Sequence, residues 1–266
     1  MYQNIAIITG SSSGIGKAFL ELLANDNGEF YKAPFDEIWA VARREDALKE
    51  LAASVKNVRV VPVAADLSDD SGIKIIEDKL KAEEPVVGLL INSAGMGIKG
   101  KVMDKSAKVL DDTVSINCSA LSQIIRITVP YMKSSDNGAP GIINIASSAG
   151  FLPQPGFAAY AASKSYVISF SRAMSCELKA LGINVMAVCP GPVRTDFQRR
   201  ATEGKEADFN DWRKNFVIDP VKLAGVSLKA SRKGKRMLVY PFSQKLLHLA
   251  SKIIPISWIL GVSGNM

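Results

Sequence analysis

Apolar and polar positions along this chain fall into blocks of two kinds. Seven short runs, residues 5–9, 38–42, 58–63, 87–92, 142–146, 183–188 and 237–240, are β-branched or otherwise apolar and are bounded by turn residues. Parallel strands covered on both faces have this pattern. Helical patterns lie between them, at residues 15–24, 44–53, 71–83, 106–132 and 158–181. Repeated alternation of strand and helix predicts an α/β fold, a doubly wound parallel sheet with helices on both faces and right-handed crossovers.

Two segments interrupt the alternation. Residues 25–36 lengthen the connection into the second strand. Residues 191–219, polar but carrying Phe197, Phe209 and Trp212, make a long excursion before the last helix and strand. Long excursions in compact domains are often lids, and this one reads as a substrate-side lid. Residues 242–254 can form an amphipathic helix, with Lys245, His248 and Lys252 on one face and Leu246, Leu249, Ala250 and Ile253 on another. Pro255 should end or kink it. The tail 256–266 carries Trp258 and has three readings: packing on its own sheet, burial in a subunit interface, or contact with a membrane surface. The first is favoured, because an interfacial helix would show more basic residues beside its aromatics.

Composition narrows the class. The chain has 266 residues, 47% hydrophobic and 22% charged, which is globular and sufficient for a full core without staples. The cysteines, Cys118, Cys176 and Cys189, are three and far apart, with no C-x-x-C. That argues against a disulfide framework and a metal site, and points to a reducing, cytoplasmic setting. The net charge is +7. The densest basic run, Arg232, Lys233, Lys235 and Arg236, is short and reads as a solvated turn, not a nucleic-acid patch. No basic n-region precedes an apolar stretch at the start. The charge-free residues 253–266 fall short of the ~20 apolar residues of a spanning helix.

The first strand runs into Thr9-Gly10-Ser11-Ser12-Ser13-Gly14-Ile15-Gly16. Glycines permit a tight turn, and the helix N-terminus that follows suits a pyrophosphate. The same residues match G-x-S-x-G, with Ser12 as a serine-hydrolase nucleophile. That rival lacks the upstream strands the elbow needs, and His248 is the one histidine available as its base. The second strand ends in Arg43 and Arg44 and has no carboxylate, which favours a ribose 2′-phosphate, and hence NADP(H) over NAD(H). Tyr160 and Lys164 are i and i+4 on one helix face. An ammonium there should lower the phenol pKa and make the tyrosine a proton donor or acceptor.

Taken in order, Thr9-Gly10-x-x-x-Gly14-Ile15-Gly16, Asp66-Leu67, Asn92-Ser93-Ala94-Gly95, Asn117, Ser147-x-x-Gly150, Tyr160-x-x-x-Lys164 and Pro190-Gly191-x-Val193-x-Thr195 resemble the short-chain dehydrogenase/reductase family. Ser93 departs from it, since a second Asn is usual there. The resemblance implies a single-domain Rossmann-type fold and a homodimer or homotetramer. It implies Tyr160 as the acid or base, Lys164 on the nicotinamide ribose, Ser147 on the substrate oxygen and Asn117 in a water-linked proton relay. Gly10, Ser12, Ser13, Gly14, Ile15 and Gly16 would line the pyrophosphate, with Arg43 and Arg44 on the 2′-phosphate. Asp66 and Leu67 would lie near adenine, Asn92, Ala94 and Gly95 along the ribose, and Pro190, Gly191, Val193 and Thr195 at the carboxamide. Met96, Ala149, Phe151, Gln154 and the excursion would form a mostly apolar pocket for a small-molecule carbonyl compound or alcohol, acyl or steroid-like. A protein that senses the cofactor without catalysis is a further alternative, disfavoured because all four catalytic-type residues are present.

Overall fold

The computed structural model describes residues 3–202 and 217–255. Seven strands form one parallel sheet: β1 (Asn4–Thr9), β2 (Glu37–Ala42), β3 (Arg59–Ala64), β4 (Val86–Asn92), β5 (Gly141–Ile145), β6 (Asn184–Pro190) and β7 (Met237–Tyr240). Their order across the sheet is 3-2-1-4-5-6-7. Each strand falls on an apolar run of the sequence. The helices are α1 (Gly14–Ala24), α2 (Glu45–Ser54), α3 (Asp70–Glu83), α4 (Ala107–Val114), α5 (Leu121–Thr128), α6 (Ala158–Glu177), α7 (Asp196–Ala201), α8 (Pro220–Arg232) and α9 (Phe242–Ile253).

The strands are apolar throughout because the sheet has a core on each face. Ala6, Ile8, Ile38 and Ala40 join Phe19 and Leu20 of α1, Leu48 of α2 and Leu223 of α8. Ile5, Ile7, Trp39 and Val41 point the other way, to Ile76 of α3, Ile124 of α5 and Val167 of α6. Each of the Ile, Leu, Val and Phe side chains among them contributes roughly 1.5–3 kcal/mol by leaving water.

The helix expected over 106–132 is not continuous. Ser106 caps its start, its Oγ accepting from the Val109 N–H at 3.4 Å. A π-helical turn, Ser115–Ala120, then separates α4 from α5, and a 3₁₀ turn, Val129–Tyr131, follows. Pro130 explains the last change, because it has no N–H to carry the helix on. Residues 25–36 belong to the opposite end of the sheet from the glycine turn. Asp26 accepts from the N–H groups of Phe30 at 3.1 Å and Tyr31 at 2.8 Å, and the Asp36 N–H donates to the Asn4 carbonyl at 2.9 Å.

Of the excursion, residues 191–202 and 217–219 are described, and they fold back onto the sheet's carboxyl edge. Val193 bridges Ile218, and the Lys99 N–H donates to the Ala201 carbonyl at 2.8 Å. Phe209, Trp212 and the tail 256–266 lie outside the described residues. Helix α9 forms where its periodicity predicts, but His248 turns inward, its ring 4.3 Å from that of Phe151. Among the described residues no helix is long and apolar enough to cross a membrane, and no cluster of His, Cys, Asp or Glu could hold a metal.

Candidate active site

In this strand order the chain leaves β1 in opposite directions toward β2 and β4, and the crevice beyond the carboxyl ends of those strands is where doubly wound sheets take ligands. Thr9 fixes its floor. The buried Oγ1 accepts from the Ser93 and Ala94 N–H groups, both at 3.1 Å, and ties the turn after β1 to the loop after β4. Gly10 and Gly14 have φ of +69° and +58°, the left-handed region that favours glycine. A side chain at Gly10 would also strike the backbone of Ala94, and one at Gly16 the Gly10 carbonyl. Ser13 stands at the N-cap of α1 without a side-chain cap bond, which leaves the first-turn N–H groups for an anion. Thr195 packs against Gly14, so the loop after β6 meets the turn after β1.

Arginines gather above this turn. The Arg44 Nη2 reaches the Ser12 carbonyl and Oγ, both at 3.4 Å, and the Arg43 Nη1 lies 3.9 Å from the Asp66 Oδ2. Burial opposes ionisation of Asp66, but the N–H and O–H of Ser68 and the charge of Arg43 outweigh it and hold the carboxyl below its usual range. Leu67 beside it is buried. Arg200 of α7 joins them. Partial burial lowers its pKa first, and the charges of Arg44, Arg43 and Arg199 add to that, against Asp196 alone. The sequence gives no signal for Arg200, because only the folding back of α7 brings it to the end of β2.

On the other side of β4 the residues are polar and buried. The Asn92 Nδ2 donates to the Asn144 Oδ1 at 2.9 Å, and the Asn144 Nδ2 to the Ser171 Oγ at 2.9 Å. Asn117 sits in the π turn, a distortion that recurs at functional sites. Its Oδ1 accepts from the Met96 N–H at 2.9 Å, and its Nδ2 donates to the Met96 carbonyl and the Ser163 Oγ, both at 2.8 Å. The Ser163 Oγ in turn donates to the Tyr160 carbonyl at 2.7 Å. Lys164, 5% exposed, donates from Nζ to the Ile145 carbonyl at 2.8 Å, and the Nζ lies 5.7 Å from the Tyr160 ring centre. Gly95 lies against both Asn117 and Lys164. Ser147 caps the 3₁₀ turn Ser148–Phe151, its Oγ accepting from the Ala149 N–H at 3.1 Å, and it lies beside Tyr160, on whose phenol it exerts a downward pull. Thus Asn117, Ser147, Tyr160 and Lys164, which span 48 positions of sequence, converge on one patch.

The electrostatics differ from the sequence expectation. Burial pushes the Tyr160 phenol up to about 12, against a smaller downward pull from Ser147. Burial also brings Lys164 down to about 8. The ammonium is aimed at the Ile145 carbonyl and not at the phenol, so desolvation dominates both groups. Of the substrate-side residues, Met96 is clamped by Asn117, Ala149 is buried, and Phe151 leans on His248. Gln154 anchors its turn through its carbonyl, which accepts from the Phe157 N–H at 3.0 Å. Two aromatics do more than these. Phe157 stacks on Tyr160 at 4.4 Å between ring centres, and Phe197 of α7 tilts over it at 5.3 Å. A side chain at Gly97 would overlap the Tyr160 ring. Pro190 ends β6, and Gly191 lies against Gln244 of α9.

The hydrolase alternative finds no support in this arrangement. Ser12 contacts Arg44, His248 contacts Phe151, and no described contact joins the two. Cys118 and Cys189 are buried, and burial raises both thiols, Cys189 to about 12. That is packing, not nucleophile chemistry.

Comparison with known proteins agrees with the geometry. The family model described as short chain dehydrogenase matches residues 4–206. A probable short-chain type dehydrogenase/reductase of Helicobacter pylori, VdlC, is 29% identical over 263 residues, 98% of this chain and 90% of that protein. The very-long-chain 3-oxoacyl-CoA reductase of Rattus norvegicus is 30% identical over 235 residues, 85% of this chain and 70% of that one. A short-chain dehydrogenase from Sphingobium yanoikuyae, solved in complex with NADPH, is similar with a TM-score of 0.76 and 26% identity over 99% of this chain and 96% of that one.

Proposed function

This chain belongs to the short-chain dehydrogenase family, whose members are oxidoreductases using a nicotinamide cofactor, and on that premise we propose that it is an NADP(H)-dependent carbonyl reductase. Its substrate would be an apolar ketone or aldehyde, the product the corresponding alcohol. The observation that carries this reading is the convergence of Asn117, Ser147, Tyr160 and Lys164 beside the crevice at β1 and β4.

The residues fit a dinucleotide. The glycine turn from Gly10 to Gly16 and the start of α1 would hold the pyrophosphate. The cationic cluster of Arg43, Arg44 and Arg200, opposed by few carboxylates, suits a 2′-phosphate. Asp66 and Leu67 would border adenine. Asn92, Ala94, Gly95 and Lys164 would border the ribose, and Pro190, Gly191, Val193 and Thr195 the carboxamide. Bound there, the nicotinamide supplies the hydride in reduction and accepts it in oxidation.

The protein's part is proton placement. Ser147 donates a hydrogen bond to the substrate oxygen and orients the carbonyl toward Tyr160. The Tyr160 O–H would then give its proton to that oxygen as the carbonyl carbon takes up the hydride, leaving a phenolate to be reprotonated. A phenol held near 12 carries its proton at neutral pH, as reduction requires, although proton transfer is most efficient when the donor's pKa lies nearer the working pH. Lys164 and Asn117 would refill the tyrosine's proton through a water chain. Phe157, Phe197 and Phe151 offer apolar walls, which supports an apolar substrate over a polyol.

Titration of the purified protein with NADPH and NADH tests the cofactor. NADPH should bind at least about tenfold more tightly, and Arg43→Ala or Arg200→Ala should remove about that factor for NADPH alone. Equal losses for both cofactors would take the 2′-phosphate away from these arginines. A panel of alkyl, aryl and sugar carbonyls with NADPH tests the substrate class, and turnover confined to sugars would sink the apolar reading.

A further inference from the structure

Helix α9 is inside out. Gln244, His248 and Ser251 recur on one side of it, and that side meets the body of the protein, at Gly191 and at the ring of Phe151. The opposite side holds Phe242, Leu246, Leu249 and Ile253, spaced i, i+4, i+7 and i+11, and these are 68%, 57%, 56% and 72% exposed. A surface helix of a water-soluble fold ordinarily does the reverse. The stripe is contiguous and not a scatter of single apolar residues, and such patches mark interaction surfaces.

The charges carried by α9 itself have one sign. Lys245 and Lys252 flank the stripe, and while burial is the main cause lowering the His248 pKa, the charges of Lys252 and of Arg172 of α6 add to it. Every charged residue after Asp219 is Lys or Arg, eight in all, with no carboxylate among them. The amino acids that follow α9 extend its apolar character: Ile256, Trp258, Ile259 and Leu260 come directly after Pro255. A second copy of this chain would bring the same cations to the interface, and at a two-fold contact they would face each other. An anionic lipid surface complements both the apolar stripe and its basic flanks.

We propose that α9 is an in-plane membrane anchor, which lays Phe242, Leu246, Leu249 and Ile253 into the acyl boundary of an anionic bilayer while Lys245 and Lys252 meet the headgroups. The helix is too short to span, so the contact is peripheral and reversible. It does not depend on which carbonyl compound the enzyme reduces.

The test is flotation of the full chain with vesicles of phosphatidylcholine alone or with about one-third phosphatidylglycerol. Wild-type protein should float with the anionic vesicles and much less with the neutral ones. Leu246→Glu/Leu249→Glu should lower the partition coefficient by at least about tenfold, and Lys245→Glu/Lys252→Glu should abolish the preference for anionic lipid. All four positions are exposed, and unchanged circular dichroism and NADPH binding would show that the variants remain folded. The proposal is overturned if wild-type protein stays in the soluble fraction with both vesicles, or if Leu246→Glu/Leu249→Glu floats as well as wild type. It is equally overturned if wild-type protein ignores lipid and the leucine variant halves its mass in solution, which would assign the stripe to a second copy.

Discussion

Helices α6 and α9 both break the rule of apolar inside and polar outside, in opposite directions. Helix α6 buries Ser163, Lys164, Ser171 and Ser175. Helix α9 buries none of its apolar side chains and presents five large ones to solvent, four of them in one stripe. The polar groups of α6 have partners: the Ile145 carbonyl for Lys164, Asn117 for Ser163 and Asn144 for Ser171. Burying the serine hydroxyls costs little because each is hydrogen-bonded, whereas the Lys164 ammonium still bears a desolvation cost, and the bonds fix the geometry of both. The exposed apolar groups of α9 face solvent, with Lys245 over the Phe242 ring at 5.8 Å. One departure is completed inside the molecule, at the proposed site. The other is completed, on our proposal, by a lipid surface.

The largest effect should come from the chemistry that α6 carries. Tyr160→Phe deletes one oxygen atom and keeps the ring that packs between Phe157 and Phe197. We expect kcat for carbonyl reduction to fall on the order of 10³-fold with the NADPH dissociation constant unchanged. Turnover within about threefold of wild type would remove Tyr160 from the proposed role.

A smaller effect should appear in stability. Burial holds Lys164 near 8 in the folded protein, against 10.5 ordinarily. Between those pH values the unfolded chain keeps a proton that the folded chain has released, so this residue's contribution to stability rises with pH across that window. Its penalty is therefore full below about pH 8. Relative to Lys164→Met, wild type should gain on the order of 3 kcal/mol of stability between about pH 8 and pH 10.5, on top of a pH-independent offset from the Ile145 carbonyl that the substitution leaves without its donor. Urea melts of both proteins at several pH values check this, and a difference that does not change with pH would refute the burial account.

The smallest effect is expected in α9. Leu246→Glu/Leu249→Glu should change unfolding free energy by less than about 1 kcal/mol, because both side chains already face water. A loss of several kcal/mol in the same melts would mean that the stripe is covered in the protein as it exists in solution, and would erase the contrast with α6.

Sequence by itself determined the sheet and most of the site. The seven strands are legible because parallel strands buried on both faces are short uninterrupted apolar runs, as Ile5 to Ile8 and Ile38 to Val41 are. The glycine turn and the Tyr160–Lys164 pair are legible because their spacing follows from a backbone that must turn tightly and a helix that repeats its face, whereas Asn117 and Ser147 stand out only through the family resemblance. Tertiary structure decided the rest. The π turn at Asn117 shifts the helix phase over only six residues, too few for the apolar pattern to reveal it. Arg200 and Phe197 reach the site only because the chain folds back over it, while Phe157 stacks on Tyr160 from the start of the same helix. The pKa of Tyr160 was misread from Lys164 alone, because desolvation depends on everything packed around both groups. The orientation of α9 is the clearest case. Periodicity gives a helix two faces, but only the contacts of Gln244 with Gly191 and of His248 with Phe151 decide which of them meets the protein.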